Sequence, residues 1–70
     1  MDKEILVNWF TYHAPSGVQP KAYESIRQAG LQLAIAINDN VPDSADKTAS
    51  IRKVREAVFT ANAAIACGGK

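Results

Sequence analysis

Three groups of side chains in this chain have types and spacing that could do chemistry. The first is the run Trp9, Phe10, Thr11, Tyr12 and His13, placed directly before the breakers Pro15, Ser16 and Gly17. A flat ring beside a loop is a platform for a nucleobase, and stacking contributes about 1–3 kcal/mol per base. Tyr12 reads equally well as such a platform or as a ring flanking a turn. Trp9 and Phe10 read as core, and His13 reads as a cap on the loop before it reads as a ligand contact. The second group is Arg27 alone, set between Tyr23 and Leu31 at i±4 on a helical pattern. Its guanidinium either snorkels to water or grips a phosphate from the rim of a pocket. The third is the basic run Lys47, Arg52, Lys53 and Arg55, which Glu56 partly offsets. Such a run is commonly a solvated face; copies brought together by association would sum into a field that attracts a small polyanion. Arg55 also precedes Phe59 by four residues, the spacing for a cation–π contact along a helix.

Catalysis finds little support. The one histidine, His13, lies near no recognisable nucleophile motif, and the one cysteine, Cys67, falls at the end of a helical pattern. No phosphate-cradling glycine loop occurs, since Gly68 and Gly69 read as a helix stop. Asp39 and Asp43 fit a polar turn better than a catalytic pair. No residues follow metal-ligand spacing, so neither a metal nor a cofactor is expected.

These groups are carried by helices. Residues 1–10 predict a short amphipathic helix, with Ile5, Leu6 and Trp9 sharing a face that packs across the longer helices. A loop follows, and Pro20 sits as a first-turn residue of a helix over 20–38. In that helix Tyr23, Ile26, Gly30, Leu33 and Ile37 recur at 3, 4, 3, 4. Gly30 lowers helix propensity but lets a neighbouring backbone approach closely. Asp39 to Pro42 is a turn too short for anything but antiparallel neighbours. A second long helix over 44–66 opens on the cap candidates Asp43 and Ser44, with Asp46 as a weak capping-box partner. It repeats the same rhythm in Ile51, Val54, Val58, Ala61 and Ile65. Thr48, Arg55, Phe59 and Asn62 form a mixed stripe on it, with Arg52 at the edge. Ala57, Ala61 and Ala64 form a small-residue stripe suited to close helix contact. Asn62, among alanines, reads as a buried polar residue that fixes helix register before it reads as a ligand contact.

The expected fold is therefore all-α: residues 1–70 as one antiparallel helical hairpin with a short N-terminal helix. At 70 residues one core rarely supplies more than about 3–5 kcal/mol, and one cysteine allows no internal disulfide. The segment LQLAIAI is apolar nearly all round, more than one partner helix can cover. Self-association into a homo-oligomer is the expected remedy. A net charge of +1 argues against clamping duplex DNA through many phosphates. The apolar run Ile5–Val7 is too short for a signal peptide and no stretch approaches a membrane span, so the cytosol is the expected compartment.

The pattern F-T-Y-H-x-P, Y-x-x-I-R, L-A-x-x-I, V-P-D-S and A-N-A-A-I-A resembles the phage anti-CBASS cyclic-nucleotide sponges, in the helical-hairpin family shared with the Thoeris-inhibiting sponges. The matches are Phe10–His13 with Pro15, Tyr23–Arg27, Leu33–Ile37, Val41–Ser44 and Ala61–Ala66. The resemblance implies a hexamer, a trimer of dimers, that sequesters cyclic oligonucleotides without hydrolysing them and so blocks CBASS signalling in the cytoplasm of the infected bacterial host. It implies cyclic dinucleotides such as cyclic GMP–AMP held between protomers, with Tyr12 on the bases and Arg27 near the phosphates, flanked by Thr11 and His13. Relatives also bind cyclic trinucleotides at a second site that draws on an Arg where this chain has Cys67. Here that site would draw on Arg52, Arg55, Asn62 or Lys70. The alternative is a hairpin that binds a partner protein and no small molecule; a DNA-binding helical protein is weaker still, given the charge.

Overall fold

In the computed structural model, which describes residues 1–69, the chain forms three helices: α1 (Lys3–Trp9), α2 (Gln19–Asn40) and α3 (Ala45–Ala66). Each end has a local cause. The Asp2 carboxylate accepts the backbone N–H groups of Glu4 (2.7 Å) and Ile5 (3.4 Å), which caps α1. At the start of α2 no side chain caps the helix; Pro20 lies in the first turn, one residue later than the sequence pattern places it. The helix also runs two residues past Asn38. The amide of Asn40 donates back to the Ala36 carbonyl at 2.7 Å, and the N–H of Val41 closes on Ile37 at 3.0 Å. Val41 is extended, as the residue before a proline tends to be.

Of the two cap candidates for α3, Ser44 takes the role: its Oγ accepts the N–H of Lys47 at 3.1 Å. Asp43 instead forms an ion pair with Lys47 at 2.9 Å, and that hydrogen bond and charge hold its carboxyl below the ordinary value. The Asp43–Asp46 box does not form, because the capping geometry belongs to the next residue along. At the other end, the N–H of Gly69 reaches the Ala64 carbonyl (2.9 Å) and that of Gly68 reaches Ile65 (3.2 Å). With φ of 65° and 78°, the two glycines supply the left-handed backbone that this Schellman stop requires.

The packing of α2 against α3 is the main contact of the fold. Its seam is half-buried: Tyr23, Ile26, Gly30, Ala34 and Ile37 face Ile51, Val54, Val58, Ala61 and Ile65. Leu33 is not part of it. Ala34 takes that turn, and Leu33 stands 54% exposed. Gly30 marks the closest approach, since a Cβ there would lie 2.5 Å from Cγ2 of Val58.

No described residue is fully buried. The chain spans 45 × 28 × 14 Å with a radius of gyration of 15.1 Å, against about 11 Å for a compact domain of this length. Its accessible surface is 5576 Å², whereas a compact monomer of 7.5 kDa exposes about 4,250 Å². Leu31, Leu33, Ile35 and Phe59 are all exposed. The α1 helix adds little cover. Rather than packing across the hairpin it leaves Leu6, Val7 and Trp9 more than a third exposed, and Phe10 and Tyr12, just beyond it, are 87% and 85% exposed. The expectation that Trp9 and Phe10 are core therefore fails within one copy of the chain, because a helix of two turns attached at one end has no second surface to close over them.

Candidate functional site

A hydrogen-bond cluster ties α1 and the following loop to the C-terminal end of α3. The last carbonyls of a helix lack intrahelical partners, so they are natural acceptors. The Asn8 amide donates to the Cys67 carbonyl at 3.2 Å, and the Gln19 amide donates to the Ile65 carbonyl at 3.1 Å. Gln19 also accepts the N–H of Ser16 at 3.1 Å, which fixes the loop from the inside. His13 Nε2 lies 2.8 Å from the Asn8 carbonyl. A carbonyl only accepts, so Nε2 carries the proton and Nδ1 is left as an acceptor in the neutral ring. The thiol of Cys67 points at the same carbonyl at 3.8 Å. Nothing local in the sequence marks Asn8 and Gln19 for this work, because their partners lie 59 and 46 residues away.

This cluster decides what the four residues expected at the dinucleotide site have free. The Thr11 hydroxyl donates to the Val7 carbonyl at 2.6 Å, so its proton is engaged at the end of α1. One nitrogen of His13 is likewise engaged. Both residues shape the loop that presents Tyr12. Tyr12 stands 85% exposed beside that loop. Arg27 is exposed on α2 and has no ion pair among the described residues, where the one pair is Lys47–Asp43. That pair removes Lys47 from the basic run and leaves Arg52, Lys53 and Arg55.

The seam of the hairpin has two flanks. On one, Arg27, Gly30, Leu31 and Ala34 from α2 meet Ile51, Val54, Arg55, Val58, Phe59 and Asn62 from α3 around an open groove. The guanidinium of Arg55 lies 5.3 Å from the centre of the Phe59 ring, the contact their spacing predicts. Oδ1 of Asn62 is shut off from solvent and has no hydrogen-bond partner. On the other flank Ile26, Ala29 and Leu33 face Ala57 and Ala61, and Lys53 is the one charged residue. Ala57 and Ala61 of the small-residue stripe thus border an open apolar groove, and Ala64 borders another beside Trp9 and Phe10. The structure brings Arg27 together with Arg55 and Asn62. Arg52 lies beside Arg55, Glu56 and Phe59 on the adjoining surface of α3. Lys70 lies outside the described residues. No group of residues fit to hold a metal occurs among the described residues, and none of their helices is long and apolar enough to cross a membrane.

The arrangement offers exposed rings, guanidinium groups without an ion pair among the described residues, and a hydrogen-bonded loop. Such a surface can bind an anion with a flat aromatic body. No curated protein and no solved structure matches the chain. A family sequence model does, and over most of the length: residues 2–66 match the hairpin domain described as Acb2/Tad1. The chain therefore belongs to the Acb2/Tad1 hairpin family of anti-CBASS and anti-Thoeris sponges, proteins whose general function is to sequester cyclic nucleotides.

Proposed function

We propose that the protein captures cyclic oligonucleotide second messengers stoichiometrically, and that it does so as a phage-encoded evasion protein in the cytoplasm of the infected bacterium. The family match over residues 2–66 carries this reading. Cyclic dinucleotides such as cyclic GMP–AMP are the primary ligands. Tyr12 stacks on a base, Arg27 meets a phosphate, and Thr11 and His13 hold the loop between them. Cyclic trinucleotide binding draws on Arg52, Arg55 and Asn62, since the resemblance implies an Arg where this chain has Cys67. The ligand leaves as it arrived, because the site offers phosphate grip and stacking without a group placed to attack phosphorus.

The working form is a homo-oligomer, a hexamer built as a trimer of dimers. The surface supports self-association: the protomer exposes about 1,300 Å² more than a compact chain of its mass. A standard interface buries about 800 Å² per partner. The apolar flank around Leu33, Ala57 and Ala61 is the natural place for part of that contact.

Isothermal titration with a panel of cyclic di- and trinucleotides, combined with sedimentation, tests the reading. Tyr12→Ala and Arg27→Ala should each abolish dinucleotide binding while the oligomer survives, and heating the complex should release intact ligand. A monomer at working concentration that ignores every cyclic nucleotide offered would sink the proposal. Unchanged affinity in both variants would leave capture standing and reject Tyr12 and Arg27 as the site.

A further inference from the structure

We infer that Asn8 and Gln19 are the positioning residues of the loop that carries Tyr12, and that they hold it by tying both of its ends to the last turn of α3. The inference rests on the capture reading above and goes beyond it, because it gives a role to two residues which that reading leaves without one.

The loop between α1 and α2 has little apolar packing to fix it. Phe10 and Tyr12 are exposed, Gly17 turns the chain with a φ of 57°, and no side chain caps the start of α2. A segment of this kind takes its order from hydrogen bonds. Two anchors supply them. At the start of the loop the Asn8 amide donates to the Cys67 carbonyl at 3.2 Å, and the backbone carbonyl of Asn8 accepts Nε2 of His13 at 2.8 Å. At its end the Gln19 amide works in both directions. Its Nε2 donates to the Ile65 carbonyl at 3.1 Å, and its Oε1 accepts the N–H of Ser16 at 3.1 Å.

Both acceptors on α3 belong to one turn, and the glycine stop fixes that turn. The N–H groups of Cys67 and Gly69 close on Ala63 and Ala64. The Ile65 carbonyl accepts the N–H of Gly68 and keeps a second lone pair for Gln19. The Cys67 carbonyl lies past the helix end, where no intrahelical donor reaches it. Tyr12 lies between the two anchors, so its backbone has a defined place before any ligand arrives. Ordering done in advance is ordering that the binding step need not supply. Loosening either anchor leaves every ligand-contacting group present and returns that ordering cost to the binding step.

The test uses the intact protein with fluorotyrosine at both of its tyrosines. Tyr12 reports on the loop, and Tyr23, in the half-buried seam, is the internal reference. Gln19→Met keeps the length of the side chain and removes both of its hydrogen bonds; Asn8→Ala removes the other anchor. Each should weaken cyclic GMP–AMP binding roughly three- to tenfold in isothermal titration, the worth of about one net hydrogen bond, with sedimentation unchanged. In the free variants the Tyr12 resonance should shift or broaden while that of Tyr23 stays in place. Saturating cyclic GMP–AMP should bring the Tyr12 resonances of wild type and variants together. Affinity within twofold of wild type in both variants, or a Tyr23 resonance that moves as far as that of Tyr12, would overturn the positioning role while leaving capture intact. A wild type that binds no cyclic dinucleotide would overturn both.

Discussion

The closest contact in the hairpin gives a direct test of how the two long helices meet. A methyl group at position 30 would lie 2.5 Å from Cγ2 of Val58, at least 0.9 Å inside the 3.4–4 Å of ordinary van der Waals contact. Valine is stiff at χ1, so it cannot swing clear cheaply, and α2 and α3 must separate. Overpacking of this kind costs about 1–3 kcal/mol. Gly30→Ala also gains about 1 kcal/mol of helix propensity. The balance is a destabilisation of about 0–2 kcal/mol, where the same change at an exposed helical site would stabilise. Val58→Ala alone removes two methyl groups from a half-buried seam and costs about 1–1.5 kcal/mol. In the double variant the new methyl occupies the space the old ones left, so the penalties should not add, and the coupling energy should be at least 1 kcal/mol in the favourable direction. Urea unfolding of all four proteins at one fixed protomer concentration measures this, because association shifts apparent stability by mass action. A Gly30→Ala protein that is more stable by the full propensity gain, with additive behaviour in the double variant, would show that the helices do not approach as described.

Three further outcomes follow from the helix ends. Ser44→Ala should cost about 1 kcal/mol, while Asp43→Ala should cost less in the same urea experiment, because Ser44 alone caps α3. The Asp43 carboxyl is held below its ordinary value by Lys47, so its contribution is present above the unfolded-state value and fades as pH falls through the folded one. Asp43→Asn should therefore lose a small acid-dependent part of stability, read as a difference between the two proteins that shrinks toward low pH, and added salt should reduce it. Asn8→Ala should raise hydrogen exchange in α1 and in residues 67–69 together, at a cost of about 1 kcal/mol, since the Cys67 carbonyl loses its donor. Exchange that rises in α1 alone would show that the link to α3 carries no energy.

The two seams were legible in the sequence because they rest on helical periodicity, which needs no knowledge of the partner. Even there the regular rhythm 3, 4, 3, 4 placed Leu33 inward, and the structure turns Ala34 in instead. A leucine at that position would hold α2 and α3 further apart than Gly30 and Val58 allow. The choice between Asp43 and Ser44 was open because both are good caps; the helix starts at Ala45, so the capping position falls on Ser44, and Asp43 pairs with Lys47 instead. The attachment of α1 had no local signature at all. It depends on Asn8 reaching the Cys67 carbonyl at the far end of the chain, while Gln19 at the start of α2 reaches that of Ile65. Part of the candidate groove was visible as a stripe, Arg55, Phe59 and Asn62 on α3. Arg27 joins that stripe only through the register of the hairpin, which no single-helix pattern contains. Tyr12 came from the resemblance and from its place as a flat ring beside a loop, and the structure leaves it 85% exposed.

The thinness of the hairpin links its stability to its proposed work. Two helices side by side have one seam, and a seam between two cylinders is covered on neither flank. That is why the chain is 14 Å thick in one direction and has no fully buried residue among those described. The two flanks differ in chemistry. The one around Leu33, Ala57 and Ala61 carries a single charge, Lys53, so closing it against another copy desolvates little that is polar. The one around Arg27 and Arg55 carries two guanidinium groups and no carboxylate. Closing that flank dry against a like copy would bury four unpaired cations, at a cost of several kcal/mol each. In the proposed oligomer, association through the first flank would relieve the apolar excess, and the second would stay open until an anion neutralised it. A chain divided in this way can assemble without ligand and still keep its positive groove vacant for one.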